Sequence, residues 1–453
     1  MKKNILFYPS HAPNQFYEIA RQCVAENPEI HPIFFLLDDS ETTSEFDCIS
    51  YEQVIDCCDF DGSDDDDSIY GFNLNEAILV DRHHKKNIDI RPLLQRFRRG
   101  FRKFLIEKDI DSIFGYAMSD SIGYAAFMTS KSIKIPFFYF CSARVGDFYY
   151  LTSQLNGGAE NADMFELKSP FLNFEYSDAL QLLEEKVEHH QVPSYASDPS
   201  MLAKKRFLKK LNNFANLIFA NLNSQSKYLQ LVIPIKESIF NAFNRPKSIK
   251  ELKNHTQDFK KISKNKFLFY PLHLHPENST LMWGRWCYNQ IELLKLISRV
   301  LPSDVYLYVK EHKVAEGRHE LGFYDQIASL PNVVFVPSHT NPHELIQKSL
   351  AVVTIAGTAG FEAICHAKNV LVFGDADYVN YPNAISCTNL KNFRENVHLA
   401  ISNKTKPLAE NEAFINFVLN KLRLSLELPN YSPYSLDQSI IEPMKNLFLN
   451  HIK

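Results

Sequence analysis

The chain reads as an α/β protein with two doubly wound parallel sheets. Three observations predict this. Short apolar runs recur with helical segments between them, which is the pattern of βαβ units. The pattern occupies residues 4 to about 140, gives way to polar helical sequence, and restarts at Lys266. At 453 residues the chain is also too long for one ordinary core; two domains of about 200 residues are the natural division.

Composition fits a globular protein: 45% hydrophobic, 23% charged, formal net charge −4. With no basic excess to neutralise phosphates, a general nucleic-acid binder is excluded. The 35 Phe and 21 Tyr suit a large core and a sugar-stacking cleft. Eight cysteines, at 23, 48, 57, 58, 141, 287, 365 and 387, form no CxxC pair and no disulfide framework. A reduced, cytoplasmic compartment is therefore expected. The start, MKKNILFYPSHAP, has an apolar core of Ile5 to Tyr8, too short for a signal peptide and better read as a first strand. No apolar run reaches the length that spans a bilayer.

In chain order, strands at 4–8 and 32–37 flank a helix near Phe16 to Glu26. Ser10 and His11 follow the first strand, at the carboxyl edge where such sheets bind ligands; a solvated loop histidine is the plainer reading. The acidic stretch 56–70 (DCCDFDGSDDDDSIY) fails as a calcium loop. Counting from Asp59, position 6 is Asp64 rather than Gly, and position 12 is Tyr70 rather than Glu. A helix over 90–107 carries Arg91, Arg96, Arg98, Arg99, Arg102 and Lys103. A strand at 112–116 and a turn at 118–121 then open a helix that runs to Ser130. Asp120 falls at its start, either as an N-cap or as a catalytic carboxylate. A strand at 136–140 leads into CSARVGD (141–147), where Arg144 and Asp147 make a substrate contact or a salt-bridged corner. Residues 151–265 are polar and mostly helical. Residues 203–220 are amphipathic and basic: the plainer reading is a surface helix packed on its own domain, the other, shared with the helix near 96, peripheral contact with an anionic membrane. The lysine-rich segment 247–266 reads as an interdomain linker.

From Lys266 the alternation restarts. A strand at 267–270 ends in a loop with His273, His275, Glu277, Asn278 and Thr280. After a helix over 286–300, a strand at 305–309 ends in Lys310-Glu311-His312-Lys313. A helix at 321–329, a strand at 333–336 and a helix at 342–349 lead to the unit that organises the chain, Ala351 to Pro382. This unit reads as a strand (351–355), a turn Gly357-Thr358-Ala359-Gly360, a helix from Phe361 and a strand (370–373). Orphan amides and the helix dipole at such a turn favour phosphate. Thr358 is placed to cap the helix, and the two glycines allow a ligand close to the backbone. Glu362 either accepts from ribose hydroxyls or is a favourable first-turn charge. The loops at 273–280, 310–313 and 357–360 all leave parallel strands, so they converge on one edge. Asp375-Ala376-Asp377 has DxD spacing but no further ligands nearby, and no metal site is expected. Residues 414–453 read as helical and folding back.

The motifs YPLHLHPENST, YVKEH and VVTIAGTAGFEAICHAKNVLVFG resemble the capsule polysaccharide and surface-carbohydrate biosynthesis family, which includes the Kdo transferases of bacterial capsules. The likeness spans roughly 266–382, with a fainter echo in SARVGD (142–147). It implies a GT-B architecture, two Rossmann-like domains facing across a cleft. The acceptor-side domain with a helical insertion would be 1–246, the nucleotide-sugar-binding domain 247–413, and 414–453 a helical segment crossing back. It also implies that His312 matches the histidine of the family's His-Pro motif and Thr358 its small-hydroxyl motif, both on the donor phosphate. Lys313 departs from that pattern, standing where the motif has proline. Valine at 370 departs from the paired-glutamate pattern of many retaining GT-B enzymes.

The expectation is a metal-independent glycosyltransferase. It would move a sugar, CMP-Kdo or a related ulosonic acid being the preferred donor, onto capsule or O-antigen polysaccharide at the cytoplasmic face of the inner membrane. No cofactor beyond the nucleotide-sugar donor is expected. The partners are that donor and a glycan or glycolipid acceptor. The donor site comprises His273, Lys310, His312, Gly357, Thr358, Ala359, Gly360 and Glu362. Catalytic candidates are Asp120, His275 and Glu311; acceptor-side candidates are His11, Arg144 and Asp147. The alternatives are a sugar-nucleotide epimerase-like enzyme and a non-catalytic glycan assembly protein of the same fold.

Overall fold

A computed structural model describes residues 2–9, 13–37, 42–56, 74–79, 90–115, 120–158, 172–189, 233–275, 277–284, 286–313, 315–429, 431 and 435–452. Ser10, His11, nearly all of the acidic stretch, residues 116–119 and the basic stretch 203–220 lie outside the described residues. The chain divides into two compact units. The first comprises Met1–Lys186, Leu281–Arg285 and Glu412–Lys453; the second comprises Val187–Thr280 and Trp286–Asn411. Among the described residues no helix is long and apolar enough to cross a membrane.

The first unit holds a seven-stranded sheet. Its strands are β1 (Lys3–Tyr8), β2 (Ile30–Leu36), β3 (Asp47–Ser50), β4 (Ile110–Gly115), β5 (Phe137–Ser142), β6 (Phe148–Thr152) and β13 (Leu426–Glu427). The order is β13-β6-β5-β4-β1-β2-β3. The five strands from β3 to β5 are parallel; β6 and β13 add on antiparallel. Alternate residues of β1 feed opposite faces, as the pleat requires. Phe7 stacks on Phe34 at 5.2 Å, while Tyr8 stacks on Phe35, also at 5.2 Å. The C-terminal helix Gln438–His451 returns to the Phe7 face, as expected. There Phe448 sits edge-on to Phe114 at 4.6 Å. Burying that ring contributes about 2–3 kcal/mol.

The second unit is fully parallel. Its strands are β7 (Lys266–Pro271), β8 (Val305–Lys310), β9 (Val333–Val336), β10 (Ala351–Thr354), β11 (Asn369–Val372) and β12 (Ala384–Ser386), in the order β12-β11-β10-β7-β8-β9. Read outward from β7, this is the order of a dinucleotide-binding sheet, and it reverses between β7 and β10. At such a reversal the loops leave in opposite directions and open a crevice at the strands' carboxyl ends. Valine, leucine and phenylalanine fill β7, β10 and β11 because helices cover both faces.

Several sequence expectations change here. The segment read as a linker is helical, in Ile233–His255 and then Phe259–Ile262, and lies in the second unit. Leu252 and Phe259 are buried, and two apolar anchors among many lysines leave a weak periodic signal. The helix expected over 286–300 is shorter, Gln290–Ser298, because the Asn289 side chain accepts from Glu292 N at 3.3 Å and caps it late. β6, whose last two residues fall in the stretch read as mostly helical, pairs with β5 through a hairpin. Arg144 (φ 69°) and Gly146 (φ 49°) adopt left-handed backbone there.

Candidate functional site

The crevice between β7 and β10 is built from the turn after β10. Thr354 closes the strand, fully buried. Its Oγ1 accepts from Gly357 N at 3.1 Å and lies 2.9 Å from His273 Nε2. Ile355 N also donates to His273 Nε2, at 3.3 Å. That nitrogen is therefore an acceptor, the Thr354 hydroxyl donates to it, and the ring carries its proton on Nδ1. The other side of the Gly357 peptide is held by Tyr378, whose hydroxyl donates to Gly357 O at 2.6 Å.

The helix then starts at Thr358 rather than at Phe361. Gly357 occupies the N-cap position in extended backbone, and no side chain caps the helix. Thr358 is thus the first helical residue and not the cap that the sequence suggested. With no side-chain cap, the positive end of the dipole at this start favours an anion, while Gly360 N is turned to Gly357 O at 3.1 Å. Thr358, Ala359 and Glu362 are half-buried around this end.

The glycines serve a purpose the sequence reading missed. A Cβ on Gly357 would lie 2.9 Å from His273 Nε2. One on Gly360 would lie 2.3 Å from the Tyr378 hydroxyl. Both admit a neighbouring side chain where a Cβ would sit.

β8 lies beside β7 with Lys310 paired to Pro271, so its end adjoins the same crevice. Leu272 N donates to Lys310 O at 2.8 Å, which joins the two loops at their base. Burial holds the half-buried Lys310 ammonium below its ordinary pKa, and Glu311 and Glu316 oppose the shift. His312 has an exposed surface but is crowded by its loop. That desolvation, and then the Lys310 charge, lower its pKa.

Glu311 is fully buried and faces inward. Its carboxylate accepts from His312 N at 2.7 Å and from the Tyr324 hydroxyl at 2.6 Å, and it meets His319 Nε2 at 3.0 Å. It braces the loop that presents His312, a role its strand-end position did not reveal. His273 is likewise a brace. It is 7% exposed, and its backbone is tied both ways to the Gln290 amide, at 2.7 and 3.0 Å. Burial pushes its pKa down to about 4, with Gln290 opposing and His312 adding a little. His275 is exposed. Its Nδ1 lies 3.0 Å from Thr280 Oγ1, and its ring stacks on Tyr288 at 5.8 Å.

In the first unit Asp120 has the capping geometry: Oδ1 accepts from Gly123 N at 2.7 Å. Arg144 lies over the Trp283 ring at 5.6 Å, and Asp147 O accepts from Leu428 N at 2.8 Å. His11 lies outside the described residues. Asp375 is exposed and Asp377 buried, and among the described residues no group of three or more His, Cys, Asp or Glu could hold a metal ion. Thr354, Gln290, Tyr324 and Tyr378 do the bracing, and no motif in the sequence marks them. They act through contacts between segments far apart in the chain.

A family model described as capsule polysaccharide biosynthesis protein matches residues 177–381, a stretch that contains all three loops. No curated protein matches the chain in sequence. Among solved structures, the beta Kdo 2,7 transferase of Thermosulfurimonas dismutans KpsC aligns over 79% of this chain and 90% of its own. It is 10% identical, with a TM-score of 0.39. The beta Kdo 2,4 transferase of the same protein aligns over 68% and 87%, at 12% identity and a TM-score of 0.33. A UDP-GlcNAc 2-epimerase from Neisseria meningitidis aligns over 100% and 99%, at 14% identity and a TM-score of 0.26. Residues 177–381 match the model of the capsule polysaccharide biosynthesis family, as the motifs within them predict.

Proposed function

We propose that the protein is a glycosyltransferase that uses a nucleotide-linked sugar, a CMP-linked ulosonic acid by preference, to extend a bacterial surface polysaccharide. One observation carries this reading: an uncapped helix start at the sheet's reversal point, with Lys310 and His312 at the end of the next strand but one. The donor phosphate sits on the first-turn amides of helix Thr358–Cys365. Lys310 and His312 flank it and offset the charge that grows on the leaving nucleotide. Glu362 accepts from the ribose.

His275 and Asp120 are the proposed chemical groups. The Thr280 hydroxyl also lies 3.0 Å from Glu277 O. With its one proton there, Thr280 accepts from His275 Nδ1–H, and His275 Nε2 is left as a base for an acceptor hydroxyl. Asp120 is the alternative carboxylate, as base or nucleophile. His11, Arg144 and Asp147 are assigned to the acceptor, and the work is assigned to the cytoplasmic face of the membrane.

The test is thermal stability with CMP, UDP, GDP or no nucleotide, on wild type and His312→Ala. A nucleotide at about 100 times its Kd adds roughly 2.7 kcal/mol. Stabilisation by CMP alone, weakened in the variant, is the expected result. Preference for UDP redirects the reading to a hexose transferase or an epimerase, and no response to any nucleotide overturns the donor site. Turnover unchanged by EDTA is expected of a metal-independent enzyme.

A further inference from the structure

The chain leaves β7 at Leu272 and enters helix Gln290–Ser298 at Gln290, and two contacts join these ends. At the base the Gln290 side chain accepts from His273 N at 2.7 Å and donates to His273 O at 3.0 Å. Two residues away on either side, His275 stacks on Tyr288, with ring centroids 5.8 Å apart and planes 18° from parallel. The residues after Tyr288 fix its place. Asn289 caps the helix through Glu292 N at 3.3 Å, and Gln290 is buried. Tyr288 itself is 39% exposed, so filling a core does not account for its ring.

Thr280 and Tyr288 restrain one ring in different ways. A hydrogen bond at Nδ1 selects the tautomer, yet an imidazole can still swing about it. A stacked face blocks that swing and selects no tautomer. With Thr280 Oγ1 3.0 Å from Nδ1 and Tyr288 against the ring face, Nε2 is left with one direction. We propose that Tyr288 is a positioning residue, whose stacked ring holds His275 so that Nε2 meets the acceptor hydroxyl. This rests on the reading of His275 as the base. A general base must lie within hydrogen-bond reach of the proton it takes, so lost orientation is lost rate. Two further groups neighbour the ring. Glu277 meets Thr280 Oγ1 through its backbone N–H and O, at 3.2 and 3.0 Å, and His319 approaches from the loop after β8. Crowding by the surrounding chain, and then His319, hold His275 below its ordinary pKa. The ring is therefore unprotonated at neutral pH, as a base must be.

Nitrogen NMR of the histidine-labelled full chain, without substrate, reads the ring directly. Wild type and Tyr288→Phe are expected to show His275 as the Nδ1–H tautomer. In Tyr288→Leu the two nitrogen shifts should move toward each other as the tautomers mix, and the pKa should rise toward 6.5 as water reaches the uncovered face. Turnover is measured with CMP-Kdo formed in situ and a Kdo-ended oligosaccharide. Tyr288→Leu should lower kcat about fivefold, the scale of a lost ring stack. KM for the acceptor should hold, and Tyr288→Phe should match wild type. Unmoved nitrogen shifts in Tyr288→Leu overturn the proposal, as does full kcat with mixed tautomers. A loss that appears in KM, or one that Tyr288→Phe shares, overturns it too, by making Tyr288 a substrate contact. So does a melting point lowered by several degrees in Tyr288→Leu, which would make the ring structural. His275→Gln with wild-type turnover overturns the base reading instead. No turnover by wild type overturns the donor reading, and the nitrogen shifts still decide whether Tyr288 holds the ring.

Discussion

The Tyr378 hydroxyl donates to Gly357 O at 2.6 Å and occupies the space that a Cβ on Gly360 would need. One buried phenol thus holds the turn that starts helix Thr358–Cys365 and requires glycine at its third residue. Tyr378→Phe removes that donor and leaves Gly357 O with Gly360 N alone, at 3.1 Å, at a cost of about 1 kcal/mol. Chemical denaturation should show that loss. Nucleotide stabilisation should shrink as well, since the amides would no longer be held in register. A variant with full nucleotide response would show that the turn needs no support from below.

Gly360→Ala should destabilise by about 1–3 kcal/mol, because the added methyl meets the Tyr378 hydroxyl. Part of that cost should vanish in the Tyr378→Phe background. A double-mutant cycle on denaturation midpoints checks this, and strictly additive effects would count against the contact.

Glu311→Ala should cost about 3 kcal/mol or more, because His312 N and the Tyr324 hydroxyl lose their acceptor and His319 loses its carboxylate neighbour. Activity lost through this substitution should follow the population of folded protein. If Glu311→Ala folds as stably as wild type yet is inactive, the carboxylate acts on substrate directly.

His273 predicts a pH dependence. Its folded pKa is pushed from 6.5 down to about 4. Above pH 6.5 it is neutral in both states and adds no slope. As pH falls from 6.5 toward 4, the unfolded chain takes up a proton that the folded protein refuses, so stability falls. The loss reaches about 3 kcal/mol near pH 4. His273→Gln should be less stable than wild type at pH 7, and the gap should narrow as pH drops. A constant gap in urea midpoints across that range would show that the ring is not held neutral by burial.

Much of this was legible from residues alone. Helical spacers between the apolar runs at 4–8, 32–37, 267–270 and 351–355 dictate βαβ units, because a parallel crossover needs a helix. From those runs follow the doubly wound sheets, the convergence of the loops after β7, β8 and β10, and the anion-favouring turn at 357–360. The motifs around His312 and Thr358 also pointed to the family that matches residues 177–381.

Tertiary structure decided which polar groups face the crevice and which brace it. Glu311 and His273 sit at strand ends like Lys310 and His312, yet both are buried. Strand position fixes where a side chain starts, whereas its solvation depends on what packs against it. For Glu311 that is Tyr324 and His319; for His273 it is Thr354 and Gln290. That Gly357 and Gly360 also make room for His273 and Tyr378 is visible only in the folded chain. Periodicity encodes only the local alternation of buried and exposed, and these contacts join different elements of the chain, so no local pattern could carry them.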